Sequence, residues 1–235
     1  LGGRWIVFVS RSTSLSAGAS GAYDNVFRFD RITGSTLLVS RSPAGTEWMG
    51  DSYWPSVSSD GHYVAFVSRA SNIVASDTNG QEDVFLFDAT TLQTTLVSRT
   101  PGGVPANDRS TVPSISADGS RVCYESLASN IVAGTSSWTI FLWDAGTATT
   151  SSMSVGVGGP ANGGTYYPSM TQDGALVSFH TASTNLVTGD ANGQHDVFTR
   201  SWISCTPGVA TYADMDGDGF GSAFVATGCP PIAGT

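Results

Sequence analysis

Short apolar runs recur along this chain and are separated by turns rich in Gly, Asp and Ser. Three segments begin with Pro-Ser, pass through an Asp-Gly pair and continue into an apolar run with an aromatic residue, at 55–67, 113–125 and 168–180. A second apolar run follows each of them, at 84–88, 140–144 and 197–198. No stretch keeps the 3.6-residue spacing of an amphipathic helix, so the pattern predicts β-strands throughout.

The Asp-Gly pairs begin at residues 60, 118 and 173, so the repeat is 58 and then 55 residues long. A fourth unit, at residues 3–42, fits the same frame without its opening Pro-Ser strand. Repeats of about 50 residues with four antiparallel strands each are typical of propeller blades. A two-sheet sandwich is the alternative, but it predicts Greek-key spacing rather than near-copies of one unit.

We therefore predict an all-β protein, a β-propeller of four antiparallel four-stranded blades with an incomplete first blade, followed by a short calcium-binding tail. The Asp-Gly pairs should lie in hairpins between the first two strands of blades two to four. Phe66, Tyr124 and Phe179 should be buried between blades. Since the first unit lacks its first strand, we expect the chain to be a fragment or its first blade to be completed from elsewhere. The propeller spans 1–203, with blades at about 1–51, 52–108, 109–164 and 165–203, and the tail spans 204–235.

The repeated pattern Pro-Ser-(apolar)-Ser-x-Asp-Gly, followed by Asp-Val-Phe-(apolar)-(aromatic)-Asp, resembles the TolB-like or WD-like propeller repeats of bacterial secreted and surface proteins. The resemblance covers about residues 3–203. It implies a platform for protein–protein contacts in a secreted or cell-surface protein, and it assigns no chemistry by itself.

Composition narrows the choice of partner. The formal net charge is −9, there is no Lys among the ten basic residues, and only 12% of residues are charged. Protein surfaces that bind nucleic acids or anionic membranes are rich in Lys and Arg, so the sequence argues against either partner. No apolar run approaches the length that crosses a bilayer. Ser and Thr make up about a quarter of the chain, which is typical of secreted bacterial β-proteins.

Two units share an Asp-x-Asn-Gly-Gln-x-Asp loop. Oxygen-bearing side chains at alternate positions around a Gly turn suit Ca²⁺, which takes six to eight oxygen ligands. An Asx-type turn, in which Asp and Asn bond their own backbone, is the alternative. The candidate ligands are Asp77, Asn79, Gln81 and Asp83 in one loop, and Asp190, Asn192, Gln194 and Asp196 in the other.

A second calcium candidate lies in the tail. The Asp-x-Asp-x-Asp-Gly run of Asp214, Asp216 and Asp218 resembles the loops of thrombospondin type 3 and related bacterial calcium-binding repeats, and the Phe220 carbonyl is the expected fourth ligand. Three carboxylates two residues apart repel one another without a cation. Cys205 and Cys229 flank this loop and would close it as a disulfide in an oxidising compartment.

The sequence contains no nucleophile elbow, zinc signature or phosphate loop. The recurring Asp residues of the Asp-Gly pairs are explained as turn residues, and each His is interpreted as an isolated surface or core residue. Arg41, Arg69 and Arg99 all follow Val-Ser, which indicates a structural role in the repeat. We therefore predict a calcium-stabilised, non-enzymatic propeller for protein interaction or filament-type self-assembly. A glycan-binding module, or a propeller glycan hydrolase or lyase, is the alternative.

Self-assembly would proceed by strand complementation between copies of the chain. The apolar segment Ser222–Thr227 is a candidate for the strand missing from the first blade. Supplied within one chain it would close a ring, and supplied between chains it would link subunits head to tail.

Overall fold

The computed structural model describes residues 3–42, 44–74, 77–156 and 158–202, and the backbone of two short strands at 210–212 and 224–226. Within these residues every regular element is a β-strand. Accordingly, the described residues include no helix of a kind that could cross a membrane.

Four antiparallel sheets follow one another along the chain, and we number them as blades 1 to 4. Blade 1 consists of β1 (Trp5–Ser10), β2 (Asn25–Asp30) and β3 (Thr36–Leu38). Blade 2 consists of β4 (Ser52–Val57), β5 (Tyr63–Ser68), β6 (Asp83–Asp88) and β7 (Gln93–Leu96). Blade 3 consists of β8 (Ser110–Ile115), β9 (Arg121–Ser126), β10 (Thr139–Asp144) and β11 (Thr149–Ser152).

A small hairpin of β12 (Val155–Gly156) and β13 (Gly159–Pro160) leads into the last blade. Blade 4 consists of β14 (Thr165–Met170), β15 (Leu176–Thr181) and β16 (Asp196–Ser201). Blades 2 and 3 thus have the predicted four strands. Blade 4 has three among the described residues, where the sequence predicted four.

The Asp-Gly turns hold the first two strands of blades 2 to 4 together, as predicted. In blade 2 the Asp60 carboxylate accepts hydrogen bonds from the Ser58 hydroxyl at 2.6 Å and from the backbone N–H of His62 at 2.9 Å. Asp118 and Asp173 accept the equivalent bonds in blades 3 and 4. These carboxylates are therefore occupied as turn residues.

Three apolar clusters fill the spaces between successive blades, which explains why the second and third strands of the inner blades are apolar on both faces. In blade 2, Phe66 packs toward blade 1, and Ala65 and Val67 pack toward blade 3. Tyr124 lies in the cluster between blades 2 and 3, and Phe179 lies in the cluster between blades 3 and 4. The prediction that these aromatic residues are buried between blades is confirmed.

A cross-strand aromatic pair recurs at one position in every blade. The rings are 5.7 Å apart in blades 1, 2 and 3 and 6.2 Å apart in blade 4. The pairs are Phe8–Phe27, Phe66–Phe85, Tyr124–Phe141 and Phe179–Phe198. Aromatic pairs of this kind stabilise neighbouring strands beyond the burial of their area.

The turn glycines make the closest contacts between blades. Gly119 of blade 3 has a φ of 74° and lies against the Tyr63 side chain of blade 2. Gly61 of blade 2 has the same φ and lies against Trp5 of blade 1. A side chain at either position would occupy the same space as the ring, so the Asp-Gly pair serves the stacking of blades as well as the turn.

Beyond blade 4, β17 (Ala210–Tyr212) pairs with β18 (Phe224–Ala226) in an antiparallel hairpin, and β17 lies beside β16. This differs from the expectation that Ser222–Thr227 completes blade 1. Among the described residues, β1 pairs with β2 alone, so the first blade lacks its first strand as predicted.

Candidate functional site

The first strands of blades 2, 3 and 4 approach one another, so they line the side of the fold on which the blades converge. Trp54, Val112 and Tyr167 occupy the same place in these strands, each directly before a Pro. Their φ angles are 51°, 50° and 52°, in the left-handed region. The pairing register shifts at the same point in all three strands, so each residue sits in a β-bulge.

This backbone conformation is costly for these residue types. A non-glycine residue held in the left-handed region costs about 1–3 kcal/mol, and the Pro that follows further disfavours departure from extended geometry. The bulges turn Trp54 and Tyr167 into solvent, where they are 51% and 61% exposed. Strained residues of this kind concentrate at functional sites, and large exposed aromatic residues are typical of binding surfaces.

In blade 4 the exposed Tyr167 is part of a cluster of rings. It stacks on His180 with ring centroids 5.4 Å apart and planes 12° apart. The Nδ1 atom of His180 lies 3.1 Å from Nδ1 of His195, and Tyr166 contacts both rings. Burial, and then the nearby His195, lower the pKa of His180. The structure thus brings together two histidines that the sequence analysis interpreted as isolated residues.

A buried carboxylate of blade 3 holds this strained strand in place. Glu125 is 6% exposed, and its Oε2 accepts the backbone N–H of Tyr167 at 2.7 Å. Burial raises the pKa of Glu125, and the hydrogen bond from Tyr167 opposes that rise. This hydrogen bond ties the bulged backbone of blade 4 to a side chain of blade 3.

Basic residues continue the surface toward blade 2. The guanidinium of Arg109 lies 5.2 Å from the ring centroid of Trp138, which itself contacts Tyr166 at 6.4 Å. Arg69 donates to Glu82 from Nε at 2.8 Å and from Nη2, and these side chains line a small pocket together with Arg109. Arg69 follows the second strand of its blade, whereas Arg41 and Arg99 follow the last strands of theirs, so the three residues do not share one position of the repeat.

Tyr53 completes this end of the surface. Burial and the hydrogen bond with Glu82 raise the pKa of Tyr53 to about 12, so the phenol stays protonated. We call the whole set the inner-strand surface. Its residues are Tyr53, Trp54, Arg69, Glu82, Arg109, Val112, Glu125, Trp138, Tyr166, Tyr167, His180 and His195.

The two Asp-x-Asn-Gly-Gln-x-Asp loops connect the second and third strands of blades 2 and 4, and they contribute Glu82 and His195 to the inner-strand surface. In blade 2 the Asn79 side chain accepts the backbone N–H of Gln81 at 2.7 Å and donates to Asp83 at 2.7 Å and to the Ala106 carbonyl at 2.8 Å. This is the Asx-type turn that the sequence left open as the alternative. The Gln81 side chain is exposed.

The acidic residues at the two ends of each loop are buried. Asp77 is 5% exposed and Asp83 is fully buried, with Asp83 accepting the Ser98 hydroxyl at 2.6 Å. Burial raises the pKa of Asp83 to about 6, and the charge of Asp77 adds to that rise. In blade 4, Asp190 and Asp196 are buried in the same way.

The remaining loop residues of blade 4 follow blade 2. Asn192 accepts the backbone N–H of Gln194 at 2.8 Å, and both side chains are exposed. In the part of the chain that the structure describes, no group of three or more His, Cys, Asp or Glu side chains surrounds a potential metal position. Any cation in these loops would therefore rest on two carboxylates completed by neutral oxygen atoms.

No protein-family model matches the sequence, and no curated protein is significantly similar to it. Solved structures do match the fold. TolB from Acinetobacter baumannii has a TM-score of 0.50 at 14% identity, covering 95% of this chain and 53% of that one. The tricorn protease has a TM-score of 0.52 at 13% identity, covering 96% of this chain and 21% of that one. The β-propeller domain of the Trilobed protease from Pyrococcus furiosus has a TM-score of 0.47 at 9% identity, covering 89% and 56%.

This chain has a TolB-like β-propeller fold. At these identities the likeness concerns the fold alone. The propeller described here spans about half the length of the Acinetobacter TolB chain that it matches, at 53%.

Several predicted sites of the propeller chain lie outside the described residues. These are the tail carboxylates Asp214, Asp216 and Asp218, the Phe220 carbonyl, and the cysteines Cys205 and Cys229. The third cysteine, Cys123, is fully buried in blade 3, and burial raises the pKa of its thiol to about 12.

Sequence reasoning missed the inner-strand surface. Its members come from three blades and are far apart in the chain, so no local motif joins them. One signal was available, since a bulky residue precedes the Pro of the Pro-Ser strand in every complete unit, at Trp54, Val112 and Tyr167. Such residues are unusual at a bulge with positive φ, but the bulge itself cannot be read from the sequence.

Proposed function

We propose that this propeller is a binding protein that recognises an extended segment of a partner protein through the inner-strand surface. The observation that supports it is the bulge repeated in three blades, which exposes Trp54 and Tyr167 at an energetic cost. Trp, Tyr and Arg are the residue types that contribute most to protein interfaces, and this surface combines all three.

The chemistry of the surface defines the partner. Trp54 and Tyr167 offer flat apolar faces for an aliphatic or aromatic side chain. Arg109 is exposed over Trp138 and offers a charged fork to a carboxylate of the partner. The preferred segment is therefore an extended peptide with an apolar anchor and an acidic residue.

We place the role in binding rather than catalysis because the two carboxylates of this surface are already engaged. Glu82 accepts Arg69, and Glu125 accepts the backbone of Tyr167. The repeat resemblance and the Ser- and Thr-rich, Lys-free composition support a location outside the bacterial cytoplasm, in a secreted or cell-surface protein.

The test is a selection of phage-displayed peptides on the immobilised full chain, followed by fluorescence anisotropy with the selected peptides. We expect Trp54→Ala and Tyr167→Ala to weaken binding about tenfold or more, as for hot-spot aromatic residues. The matched control is Ile32→Ala, because Ile32 is an apolar residue 74% exposed in a blade 1 turn. This control should leave the affinity unchanged.

Equal affinities for the wild type and both aromatic variants would refute the proposal. A panel of neutral and acidic oligosaccharides, titrated in the same assay, tests the glycan alternative. Saturable sugar binding that is lost in Trp54→Ala, without any selected peptide, would assign the surface to glycans instead.

A second proposal concerns self-association. Among the described residues the edge of β1 on the side away from β2 has no strand partner, and its Ile6 and Val9 are 44% and 39% exposed. We propose that this edge accepts a strand from another copy of the chain. Light scattering coupled to size-exclusion chromatography should show oligomers of the wild type. The Ile6→Lys variant should be monomeric, and the Ile32→Lys variant should form the same oligomers as the wild type. A full chain that stays monomeric at high concentration would rule it out.

A further inference from the structure

Asp77 in blade 2 and Asp190 in blade 4 are the same residue of the repeat, and both are more than nine-tenths buried. The Oδ1 atom of Asp77 has no hydrogen-bond partner among the described residues, and neither carboxylate oxygen of Asp190 has one. Leaving a buried carboxylate oxygen unsatisfied is costly, so these oxygens require a partner beyond those that the described residues supply.

We propose that each loop binds one Ca²⁺ ion, held by the paired carboxylates Asp77 and Asp83 in blade 2 and by Asp190 and Asp196 in blade 4.

Blade 3 shows what surrounds the first of these carboxylates. Thr135 stands in the place of Asp77, with no gap in the repeat between Ser68–Asp77 and Ser126–Thr135. Its hydroxyl donates hydrogen bonds to the carbonyl of Val132 at 2.9 Å and to that of Ala128 at 3.3 Å. A donor therefore fits this position, because it faces backbone carbonyl oxygens.

In blade 2 the equivalent carbonyls belong to Ala70 and Val74. An ionised carboxylate accepts hydrogen bonds and donates none. At the place that the Thr135 hydroxyl takes in blade 3, the Asp77 carboxylate would therefore be repelled by the carbonyl oxygens. A cation between these oxygens turns every one of the contacts into an attraction. The carbonyls also supply neutral oxygen ligands, which Ca²⁺ needs because two carboxylates do not complete its coordination shell.

The second carboxylate changes together with the first. Asp83 and Asp196 are equivalent to Thr139 of blade 3, which is the blade with Thr135 at the first position. Within these three blades, the two acidic residues thus occur together or are both replaced by Thr. Two buried like charges near each other destabilise the fold unless a cation lies between them, which is a reason for a pair to be kept or lost as a unit.

All the available donors are oxygen atoms, and these favour a hard cation. A flexible loop with carboxylates and backbone carbonyls suits Ca²⁺ better than Mg²⁺, which demands near-octahedral geometry at short distances. Such a site anchors the long connection between the second and third strands, and it adjoins the inner-strand surface through Glu82 and His195, which lie in these loops.

The experiment uses the full chain with three substitutions in the tail loop, Asp214→Asn, Asp216→Asn and Asp218→Asn. These substitutions prevent the tail from binding Ca²⁺ in competition with the two propeller loops. After treatment with EDTA and dialysis, the protein is titrated with CaCl₂ by isothermal calorimetry. We expect two equivalents of Ca²⁺ to bind. A Ca²⁺ concentration ten times the dissociation constant should raise the melting temperature by roughly 6–11 °C when both sites are filled.

Loop variants that carry the Thr residues of blade 3 assign the ions. Asp77→Thr with Asp83→Thr should remove one equivalent, and Asp190→Thr with Asp196→Thr should remove the other. Asp108→Asn removes one negative charge outside the loops and should keep both equivalents. Titration with MgCl₂ should produce a smaller shift in melting temperature than CaCl₂ at the same concentration.

Absence of Ca²⁺ binding by the tail variant, whose two loops are intact, would overturn the proposal even if the loop variants failed to fold. Unchanged stoichiometry in the chain with all four Thr substitutions would also overturn it. Loop variants that are more stable than the parent, combined with no Ca²⁺ binding by that parent, would show that the buried carboxylates carry protons instead.

Discussion

Gly119 provides the most direct test of how the blades stack. The proposed change is Gly119→Ala, which adds one methyl group in the Asp-Gly turn of blade 3. The added Cβ would lie 2.2 Å from Cδ2, 2.7 Å from Cγ and 3.0 Å from Cβ of Tyr63 in blade 2. Because the contact reaches the root of the Tyr63 side chain, rotating the ring does not relieve it.

Two costs add at this position. Holding Ala at a φ of 74° costs about 1–2 kcal/mol. Ala also lowers the conformational entropy of the unfolded chain, which stabilises the folded protein by about 0.4–1 kcal/mol and offsets part of that cost. Forcing the blades apart costs a further 1–3 kcal/mol or so, as for other overpacked interiors. We expect Gly119→Ala to lower the free energy of unfolding by about 2–4 kcal/mol.

Gly34 is the matched control. It lies in the turn between β2 and β3, its φ is 72°, and nothing stands within 4 Å of the position its Cβ would take. Gly34→Ala therefore carries the backbone cost without the clash, and we expect a loss of only about 1 kcal/mol.

Urea denaturation followed by both tryptophan fluorescence and far-ultraviolet circular dichroism measures the two losses. Agreement of the two probes establishes that the blades unfold together, which the comparison requires. Equal losses for Gly119→Ala and Gly34→Ala would refute the reasoning, because they would mean that the interface between blades absorbs a methyl group at no cost.

Three further outcomes are expected. Val112→Gly should be more stable to urea than Val112→Ala by about 1 kcal/mol, the reverse of the usual order in a strand, because Gly relieves the positive φ at the bulge. Arg4 forms a two-pronged ion pair with Asp30 and lowers the pKa of that carboxyl, so the stabilisation is fully present above the unfolded pKa of about 3.9 and is lost progressively as the pH falls from there through the lower folded pKa. Thermal melts should therefore show Arg4→Gln destabilised at pH 7, with a difference from the wild type that narrows steadily as the pH falls below about 3.9. The pKa of His180 is lowered in the folded protein, so its contribution to the free energy of unfolding is fully present above the unfolded pKa of about 6.5 and is lost as the pH falls below that value. Between about pH 7 and pH 5, His180→Phe should therefore lose less stability than the wild type.

The strand pattern of this propeller is predictable because each blade repeats one local solution. The Asp-Gly pair needs only a Gly with positive φ and an Asp that caps its own turn, and both are local properties. The apolar runs around Phe66 and Tyr124 carry enough continuous hydrophobicity to require burial on both faces. These features gave the four sheets and the buried aromatic residues from the amino-acid order alone.

The strand count of the last blade and the position of the terminal strand were not predictable in this way. Phe224–Ala226 is apolar and short, and such a segment can complete any open edge. In the structure it pairs with Ala210–Tyr212, which is close in the chain, whereas β1 is more than 200 residues away. Closing a short loop costs less entropy than closing a long one.

The candidate site shows the same division. The sequence by itself determined the repeat, the turns, the apolar faces and the pairs of Asp residues in two of the loops, because these depend on residues near one another in the chain. Only the tertiary structure decided that Tyr167, His180 and Glu125 meet, that the strands before Pro bulge, and that one carboxylate oxygen of Asp77 and both of Asp190 lie buried without a hydrogen-bond partner among the described residues. Those facts depend on how one blade packs against the next, and packing between blades is set by distances and burial that no local pattern encodes.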